Sequence, residues 1–287
     1  RWCPTGLTTM HRWHCCPQRR QSGRTVRDGP LARFPCQLQR YPTSAELSEA
    51  LAGHLAEHLH GWLERPEAQR RPIGLATGRT MEPLYRALVA QLQGWSEPEL
   101  MQLRQHWCSF NLDEYLGLGA DDPRGYRSYM RRHLAGPLRL SDATVHLPDS
   151  TAPDGAAAAA RYSDELQAHG GIGVQLLGLG SNGHVGFNEP PSQSHCGCHE
   201  VVLTPATRHQ NAALFGGQAE AVPERAITLG LAEILAASEI HLVVTGAGKA
   251  SILQRLLSLR APDPMLPASW LLSHPRVWLW CDAAALA

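Results

Sequence analysis

Apolar and polar residues follow two periods along the chain, and the pattern predicts helices that alternate with short strands. Apolar positions recur at helical spacing over Ser44–Leu63, with Ser44 as the expected N-cap, whereas the apolar run 174–177 is typical of a buried strand. This alternation predicts an α/β fold with a doubly wound, mostly parallel sheet and helices on both faces. The predicted helices cover 44–63, 84–92, 126–134, 156–168, 232–236 and 250–257, and the predicted strands cover 73–76, 107–112, 174–177, 240–245 and 277–281.

Polar segments follow four of the predicted strands. In a doubly wound sheet, ligands bind at the carboxyl ends of the strands, so these segments are expected on one edge of the sheet. Their coincidence there favours a functional site over four unrelated loops. The segments are Thr77–Thr80, Asp113–Glu114, Asn182–Glu189 and Gly246–Lys249.

The richest of these segments lies within Gly178–Pro190, which has the sequence GLGSNGHVGFNEP. Its glycines let the backbone approach a ligand, and the unperturbed pKa of a histidine such as His184 is near neutrality. A histidine and a carboxylate, here Glu189, on a loop after a strand indicate acid–base chemistry. The alternative is a tight turn that contains a buried histidine with satisfied hydrogen bonds.

The same segment also matches G-x-G-x-x-G, the fingerprint of dinucleotide-binding sites, through Gly178, Gly180 and Gly183. That fingerprint requires a helix to begin at the third glycine, because the helix N-terminus holds the pyrophosphate. The residues that follow, 185–191, include two prolines and start a helix poorly. Nucleotide binding is therefore disfavoured, and the chain has no P-loop that would indicate ATP chemistry.

Two further segments favour a phosphorylated substrate. Among the 26 basic residues of the chain, Lys249 is the only lysine. It follows Gly246–Gly248, which would allow a phosphate to approach closely. Thr77–Thr80 lies between a strand and a helix, where backbone N–H groups can bind an anion. Together with Asp113 and His184, these segments indicate proton transfer on a sugar phosphate.

Charge and composition narrow the class of protein. The 26 basic and 26 acidic residues give zero formal net charge, so we expect neither nucleic acid nor a membrane surface as a partner. No apolar run approaches the ~18 residues of a membrane span, and no signal peptide is recognisable, so a cytoplasmic protein is expected. Residues 1–40 hold eight Arg and one Asp. We expect residues 1–32 to be a disordered or spurious basic extension, and residues 33–287 to form a single domain.

Two groups of Cys and His are alternative metal sites. One lies in the first 16 residues, and the other is His195–His199, which contains a C-x-C pair. Neither has the usual spacing of zinc ligands, so no metal site is predicted. The remaining cysteines are sparse, as in a reduced compartment.

Five segments in order resemble the superfamily of glucosamine-6-phosphate deaminases and 6-phosphogluconolactonases, from about Arg33 to the C-terminus. The segments are LATGRT (75–80), FNLDEYLGL (110–118), GLGSNGHVGFNEP (178–190), AITLGLAEIL (226–235) and VVTGAGKA (243–250). The resemblance implies a Rossmann-like three-layer fold. Tyr115 after Asp113–Glu114 and the F-N-E-P ending favour the deaminases over the lactonases. Asn182 and the segment Leu266–Pro275 are more similar to galactosamine-6-phosphate deaminase/isomerases than to glucosamine-type deaminases.

The resemblance implies a role for each candidate residue. Asp113 would move a proton between C2 and C1 of the opened amino sugar, and His184 would serve ring opening, oriented by Glu189 and Asn182. The product would be a ketose 6-phosphate plus ammonia, formed without a metal or an organic cofactor. The implied phosphate-binding residues are Thr77, Gly78, Arg79, Thr80 and Lys249.

The chain departs from the family pattern at the phosphate site. The family's arginine is expected where Ala213 stands, so Arg79, or failing that Arg208, is the candidate replacement. Residues 191–207 contain no Lys or Arg, which disfavours allosteric activation by a phosphate in that stretch. A lactonase or another phosphosugar isomerase, and a non-catalytic phosphosugar-binding protein, are the alternatives. The expected partner is a phosphosugar, with a homo-oligomer as a further option.

Overall fold

A computed structural model describes residues 34–287, and both the predicted extension 1–32 and its Cys/His group lie outside them. The strands of the described part are β1 (Gln37–Tyr41), β2 (Ile73–Leu75), β3 (Ser109–Asn111), β4 (Asp113–Tyr115), β5 (Val145–His146), β6 (Val174–Gly178), β7 (His199–Val202), β8 (Arg225–Thr228), β9 (Glu239–Val244) and β10 (Val277–Asp282). The α-helices are α1 (Ser44–Leu63), α2 (Met81–Gln93), α3 (Glu97–His106), α4 (Tyr126–Met130), α5 (Gly136–Leu138), α6 (Gly155–Ala168), α7 (Pro205–Asn211), α8 (Leu231–Leu235) and α9 (Ala250–Ser258).

Seven strands form one parallel sheet in the order β1-β10-β9-β6-β2-β3-β5. The predicted α/β fold with a parallel, doubly wound sheet is confirmed. The strands β9, β6, β2 and β3 are consecutive neighbours in this order, although they are far apart in the sequence. Because all of them run parallel, the segments that follow them meet at one edge of the sheet.

The sequence pattern did not predict a second, antiparallel sheet of three strands, ordered β4-β8-β7. The expected single strand over 107–112 ends instead at Asn111, and the chain leaves the main sheet at Leu112. The next three residues then pair with β8, with Asp113 opposite Thr228. Asp113 and Glu114 therefore lie within a strand whose partner is distant in sequence, not in a loop.

The first helix illustrates how the hydrophobic pattern determines an element. Leucines at every fourth position of α1, from Leu47 to Leu59, are buried and form one apolar face. The helix N-cap is Thr43 and not the predicted Ser44, because the Thr43 side chain accepts a hydrogen bond from the backbone N–H of Glu46. No helix within 34–287 combines the length and the apolar character needed to cross a membrane.

Candidate active site

A cavity of about 380 Å³ lies at the edge of the sheet where β2, β3, β6 and β9 end. The predicted site residues that line it are Thr77, Gly78, Arg79, Thr80, Asp113, His184 and Lys249. Asn182 and Glu189 lie behind His184, outside the cavity wall, and Arg208 is elsewhere. The structure thus brings together seven of the ten predicted site residues around one cavity.

The Asp113 carboxyl is the most deeply buried acid in the cavity wall, with a relative exposure of 6%. Burial and, to a smaller extent, the charge of the adjacent Glu114 raise the pKa of Asp113 to about 8. A carboxyl group with such a pKa can both accept and release a proton near neutral pH. This property depends on the cavity and could not be inferred from the sequence.

The neighbouring Glu114 points away from the cavity and has a structural environment. Its carboxylate accepts hydrogen bonds from the backbone N–H groups of Tyr115, Tyr126 and Arg127, each at 2.9 Å. Two of these donors belong to the first turn of α4, where N–H groups lack helical partners. Although burial raises the pKa of Glu114, these hydrogen bonds oppose the shift. Glu114 therefore attaches α4 to β4.

His184, Asn182 and Glu189 form a chain of hydrogen bonds. Asn182 Nδ2 donates to Glu189 Oε2 at 2.8 Å, and Asn182 Oδ1 lies 2.7 Å from His184 Nδ1. The hydroxyl of Thr204 donates to the other oxygen of Glu189 at 3.2 Å. Because a carboxylate only accepts hydrogen bonds, it determines the orientation of the Asn182 amide. The amide oxygen then requires a proton on His184 Nδ1, which leaves a lone pair on Nε2.

His184 is neutral over the physiological range. Burial is the main cause that lowers the pKa of its imidazole to about 4; the charge of Glu189 opposes this shift, and the charge of Lys249 adds to it. The ring packs against Gly180, where a Cβ atom would lie 2.4 Å from three ring atoms. Glycine is therefore required at this position for the imidazole to occupy its place.

The opposite part of the cavity carries positive charge. The segment Thr77–Thr80 lines it together with the first turn of α2, and Gly78 has a φ of 107°, which favours glycine. Lys249 faces the same region, and its pKa is lowered by burial and by the charge of Arg79. Two cations that repel each other beside a helix N-terminus form an arrangement whose charge suits an anion.

Two tyrosines that sequence analysis did not select hold this segment in place. Tyr85 on α2 donates a hydrogen bond to the carbonyl of Ala76, and Tyr129 on α4 donates to the carbonyl of Gly78 at 2.9 Å. Both rings are buried. Since α4 is attached to β4 by Glu114, the segment Thr77–Thr80 and the strand that carries Asp113 are held by the same helix.

Arg208 does not reach the cavity. Its guanidinium donates to the carbonyls of Val222 and Glu220 at 3.1 and 2.9 Å, and it lies 3.6 Å from the Glu224 carboxylate. Ala213, in contrast, does line the cavity. The position at which the family pattern implies an arginine therefore lines the cavity, but its side chain, that of Ala213, is only a methyl group.

Sequence analysis also missed several lining residues on and after α7. Gln210 accepts a hydrogen bond from the backbone N–H of Ser181 at 3.1 Å, which ties α7 to the histidine segment. The strand that precedes them, β7, belongs to the antiparallel sheet and was not predicted, so the rule that selects the ends of parallel strands could not find them. The missed residues on and after α7 are Gln210, Asn211 and Leu214. Glu82, Tyr126, Tyr129 and Phe187 also line the cavity and were not selected as site residues.

The structure bears on two alternatives. No helix begins at Gly183; the residues after it form turns and a bridge between Val185 and Asn188, so the dinucleotide fingerprint lacks its helix. Within 34–287, two separate groups of three possible metal ligands occur. Neither group includes a residue of 195–199, the Cys/His segment that was considered as an alternative metal site.

The chain is similar to known proteins over most of its length. Residues 42–280 match the family described as glucosamine-6-phosphate isomerases/6-phosphogluconolactonase. The glucosamine-6-phosphate deaminase of Rhodopirellula baltica is 39% identical over 253 residues, which cover 87% of this chain and 94% of that protein. The glucosamine-6-phosphate deaminase of Beutenbergia cavernae is 40% identical over 235 residues, covering 82% and 87%.

Two solved structures illustrate the range of this fold. A monomeric glucosamine-6-phosphate deaminase superposes with a TM-score of 0.79 at 33% identity, covering 88% of this chain and all of that one. The 6-phosphogluconolactonase from Trypanosoma cruzi superposes with a TM-score of 0.68 at 19% identity, covering 88% and 96%. The second likeness shows a shared fold only.

Proposed function

Since this chain belongs to the family of glucosamine-6-phosphate isomerases and 6-phosphogluconolactonases and is an enzyme of the glucosamine-6-phosphate deaminase type, we propose that it converts galactosamine or glucosamine 6-phosphate to a ketose 6-phosphate and ammonia. The observation that carries this proposal is the pairing of a buried carboxyl, Asp113, with a neutral imidazole, His184, opposite an anion-binding end.

The proposed reaction begins with ring opening. The free lone pair of His184 Nε2 takes the proton from the anomeric hydroxyl, and the imidazolium returns it to the ring oxygen as the C1–O5 bond breaks. The imidazolium is short-lived because burial and Lys249 disfavour the charged form. Asn182 and Glu189 keep the proton on Nδ1, so Nε2 is the nitrogen available to the sugar.

Proton transfer between carbons is assigned to Asp113. Its ionised carboxylate removes the proton from C2 of the open-chain amino aldose, and the resulting carboxyl delivers a proton to C1. The amino group gives up one proton to O1, so the aldehyde at C1 becomes an alcohol and the C2–N bond becomes an imine. Water then adds to C2, and ammonia leaves to give the ketose. The raised pKa of Asp113 suits both directions of this transfer.

The phosphate is proposed to bind at Lys249, the backbone of Thr77–Thr80 and the guanidinium of Arg79. Removing the guanidinium in Arg79→Ala is expected to raise KM for the amino-sugar phosphate about 10- to 100-fold, because a hydrogen bond to a charged group contributes about 1.5–3 kcal/mol. We expect kcat to stay within about threefold, since Arg79 is remote from the reacting carbons. Steady-state kinetics measure both values.

Two matched variants make this measurement specific. Arg86→Ala removes an exposed guanidinium from α2, outside the cavity, and should leave KM unchanged. Arg208→Ala tests the alternative arginine. A KM within twofold of wild type for Arg79→Ala, or a large rise for Arg208→Ala, would contradict the proposed phosphate site.

Substrate identity is tested by an ammonia-release assay on galactosamine and glucosamine 6-phosphates, with 6-phosphogluconolactone hydrolysis measured alongside. Ammonia release from either amino sugar supports the proposal. Lactone hydrolysis without ammonia release would favour the lactonase alternative. Binding of the amino sugars without turnover, unchanged in Asp113→Asn, would favour a phosphosugar-binding protein.

Of the two sugars, we propose galactosamine 6-phosphate as the preferred one. The proposal rests on Asn182 and on Leu266–Pro275, two features that resemble galactosamine-type enzymes; the segment contacts Gly183, the residue next to Asn182. Ala268 N donates to the carbonyl of Gly183 at 2.9 Å, and Leu266 fills the space beside Gly183. A higher kcat/KM for glucosamine 6-phosphate, the sugar in the names of the relatives above, would overturn this preference.

Asn182→Asp is expected to raise the kinetic pKa of His184 by about 1 unit or more, because a carboxylate beside Nδ1 stabilises the imidazolium whereas an amide only hydrogen-bonds. Because Asp113 must be ionised and His184 neutral, kcat/KM should fall with a slope of one below the pKa of Asp113 and with a slope of two below the pKa of His184, and this second break should move to higher pH. Profiles of the two proteins over pH 4–9 test this. An unchanged profile would exclude Asn182 from control of His184.

A further inference from the structure

One cluster of ligating side chains lies outside the cavity, at the edge of the parallel sheet. Cys108 precedes β3, His146 lies on the edge strand β5, and His169 follows α6. Each offers one ligand atom, and the three atoms lie within 4.8 Å of one another. None of the three residues lines the cavity.

Both imidazoles of this cluster are oriented by the same residue. His146 Nδ1 lies 2.8 Å from Glu165 Oε1, and His169 Nδ1 lies 2.9 Å from the Glu165 carbonyl oxygen. Because both of these oxygens act as acceptors, each Nδ1 carries its proton and each Nε2 has a free lone pair. An imidazole that donates one N–H to a carboxylate or carbonyl while its other nitrogen stays free is the usual arrangement of histidine metal ligands.

The rings are also held in place by packing. His146 stacks on Phe110 with ring centroids 4.4 Å apart, and His169 meets the same phenylalanine edge-on at 5.4 Å. The centroids of the two imidazoles are 5.2 Å apart. Ligands of a tetrahedral zinc ion with bonds of 2.0–2.3 Å are about 3.4–3.6 Å from each other, so small side-chain rotations would close the site.

A second cluster of possible metal ligands within 34–287 is formed by His54, Glu239 and His241. In this cluster, His241 has no free nitrogen lone pair. Trp280 Nε1 donates to His241 Nδ1 at 2.9 Å, which leaves His241 Nε2 to donate to Glu239 at 2.8 Å. Both nitrogens of His241 are therefore engaged, and no lone pair remains for a metal. The comparison shows that proximity alone does not distinguish the two clusters, whereas hydrogen bonding does.

We propose that Cys108, His146 and His169 bind one zinc ion through the thiolate sulfur and the two Nε2 atoms. One sulfur and two imidazole nitrogens form a ligand set suited to a borderline-soft ion such as Zn²⁺. His169 is exposed, so a water molecule can occupy the fourth position. Glu165 acts as a positioning residue for both imidazoles.

The proposed ion would stabilise the fold and take no part in the reaction. It would connect the edge strand β5 and the end of α6 to the start of β3. The cavity lies at the other end of β3, about 10 Å away for three residues of extended chain. A ligand that binds only the folded chain raises its stability, so zinc should increase the thermal midpoint.

The test uses the full-length chain, stripped of metal with a chelator under reducing conditions and titrated with Co²⁺ and then with Zn²⁺. Wild type should bind one equivalent more than Cys108→Ser, with a sulfur-to-cobalt charge-transfer band and the d–d bands of tetrahedral coordination. His169→Gln, which alters an exposed side chain, should weaken zinc binding at least about tenfold. His195→Gln, at an exposed position in the other Cys/His segment, is the matched control and should bind as wild type does.

The difference between wild type and Cys108→Ser counts this site alone, because metal bound by other cysteines is common to both proteins. Zinc should raise the thermal midpoint of wild type by several degrees and that of the serine variant by less. Equal stoichiometry in the two proteins, with no difference in the charge-transfer band, would overturn the proposal. So would zinc affinity unchanged in His169→Gln. Neither outcome depends on whether the chain deaminates an amino sugar.

Discussion

Replacing Asp113 with Asn is expected to abolish deamination and, at the same time, to make the folded protein more stable. An amide cannot take the proton from C2, so kcat should fall by about 10³-fold or more. The cavity wall keeps its shape, because Asn and Asp differ little in size. Ammonia release measures the loss of activity, and Asp164→Asn, which changes an exposed carboxylate on α6, is the matched control.

The gain in stability follows from the raised pKa of Asp113. The carboxyl ionises near its ordinary value of 3.8 in the unfolded chain but near pH 8 in the folded protein. The unfolded state therefore gains stability relative to the folded state as the pH rises from about 4 to about 8. At pH 8 the penalty is on the order of 2–4 kcal/mol, reduced from the full value of the shift by solvent in the cavity.

Thermal unfolding of wild type and Asp113→Asn at two pH values tests this sign. At pH 8 the variant should have the higher midpoint, and the difference should shrink toward zero as the pH falls to about 4. For wild type, kcat/KM should rise with pH toward pH 8, because the ionised carboxylate is the active form. A variant that is less stable than wild type at pH 8, or that keeps its activity, would contradict the assignment of Asp113.

Replacing His184 with Gln is expected to lower kcat by about 10²- to 10⁴-fold, since an amide cannot shuttle the proton needed for ring opening. The KM should stay within about threefold, because the positively charged end of the cavity, which is proposed to bind the phosphate, is unaltered. The matched control is His106→Gln, which changes a histidine at the end of α3, away from the cavity.

An acyclic substrate separates the two proposed steps. An amino-sugar phosphate that lacks the hydroxyls at C4 and C5 cannot close a ring, so it needs no ring opening. His184→Gln should turn over this analogue at nearly the wild-type rate, whereas Asp113→Asn should remain inactive. If the histidine variant is equally impaired with the acyclic analogue, His184 acts in a step other than ring opening.

Much of the site could be predicted from the sequence because of a property of parallel sheets. Apolar runs located β2, β6 and β9, and the carboxyl ends of neighbouring parallel strands meet at one edge. The segments that begin at Thr77, Asn182 and Gly246 were therefore expected together, and the structure places Thr77, His184 and Lys249 around one cavity.

Other features depended on contacts between residues that are distant in the sequence. The pairing of Asp113 with Thr228 directs Asp113 into the cavity and leaves Glu114 to hold α4. Two adjacent acidic residues in the sequence do not indicate which of them faces the cavity. The role of Arg208 also depended on such contacts, because its guanidinium donates hydrogen bonds to the carbonyls of Glu220 and Val222 and does not reach the cavity. Only the packed structure decides which polar groups are already occupied.

The sequence by itself therefore determined the fold class, the central strands β2, β3, β6, β9 and β10 and the edge of the sheet where the site lies, because hydrophobic periodicity is a local property of the chain. The tertiary structure alone decided the direction and the partners of each side chain. It assigned Nδ1 of His184 to Asn182, Nδ1 of His146 and of His169 to Glu165, and a buried environment to Asp113. The pKa of a group and its free lone pairs depend on burial and on neighbours that only folding brings together.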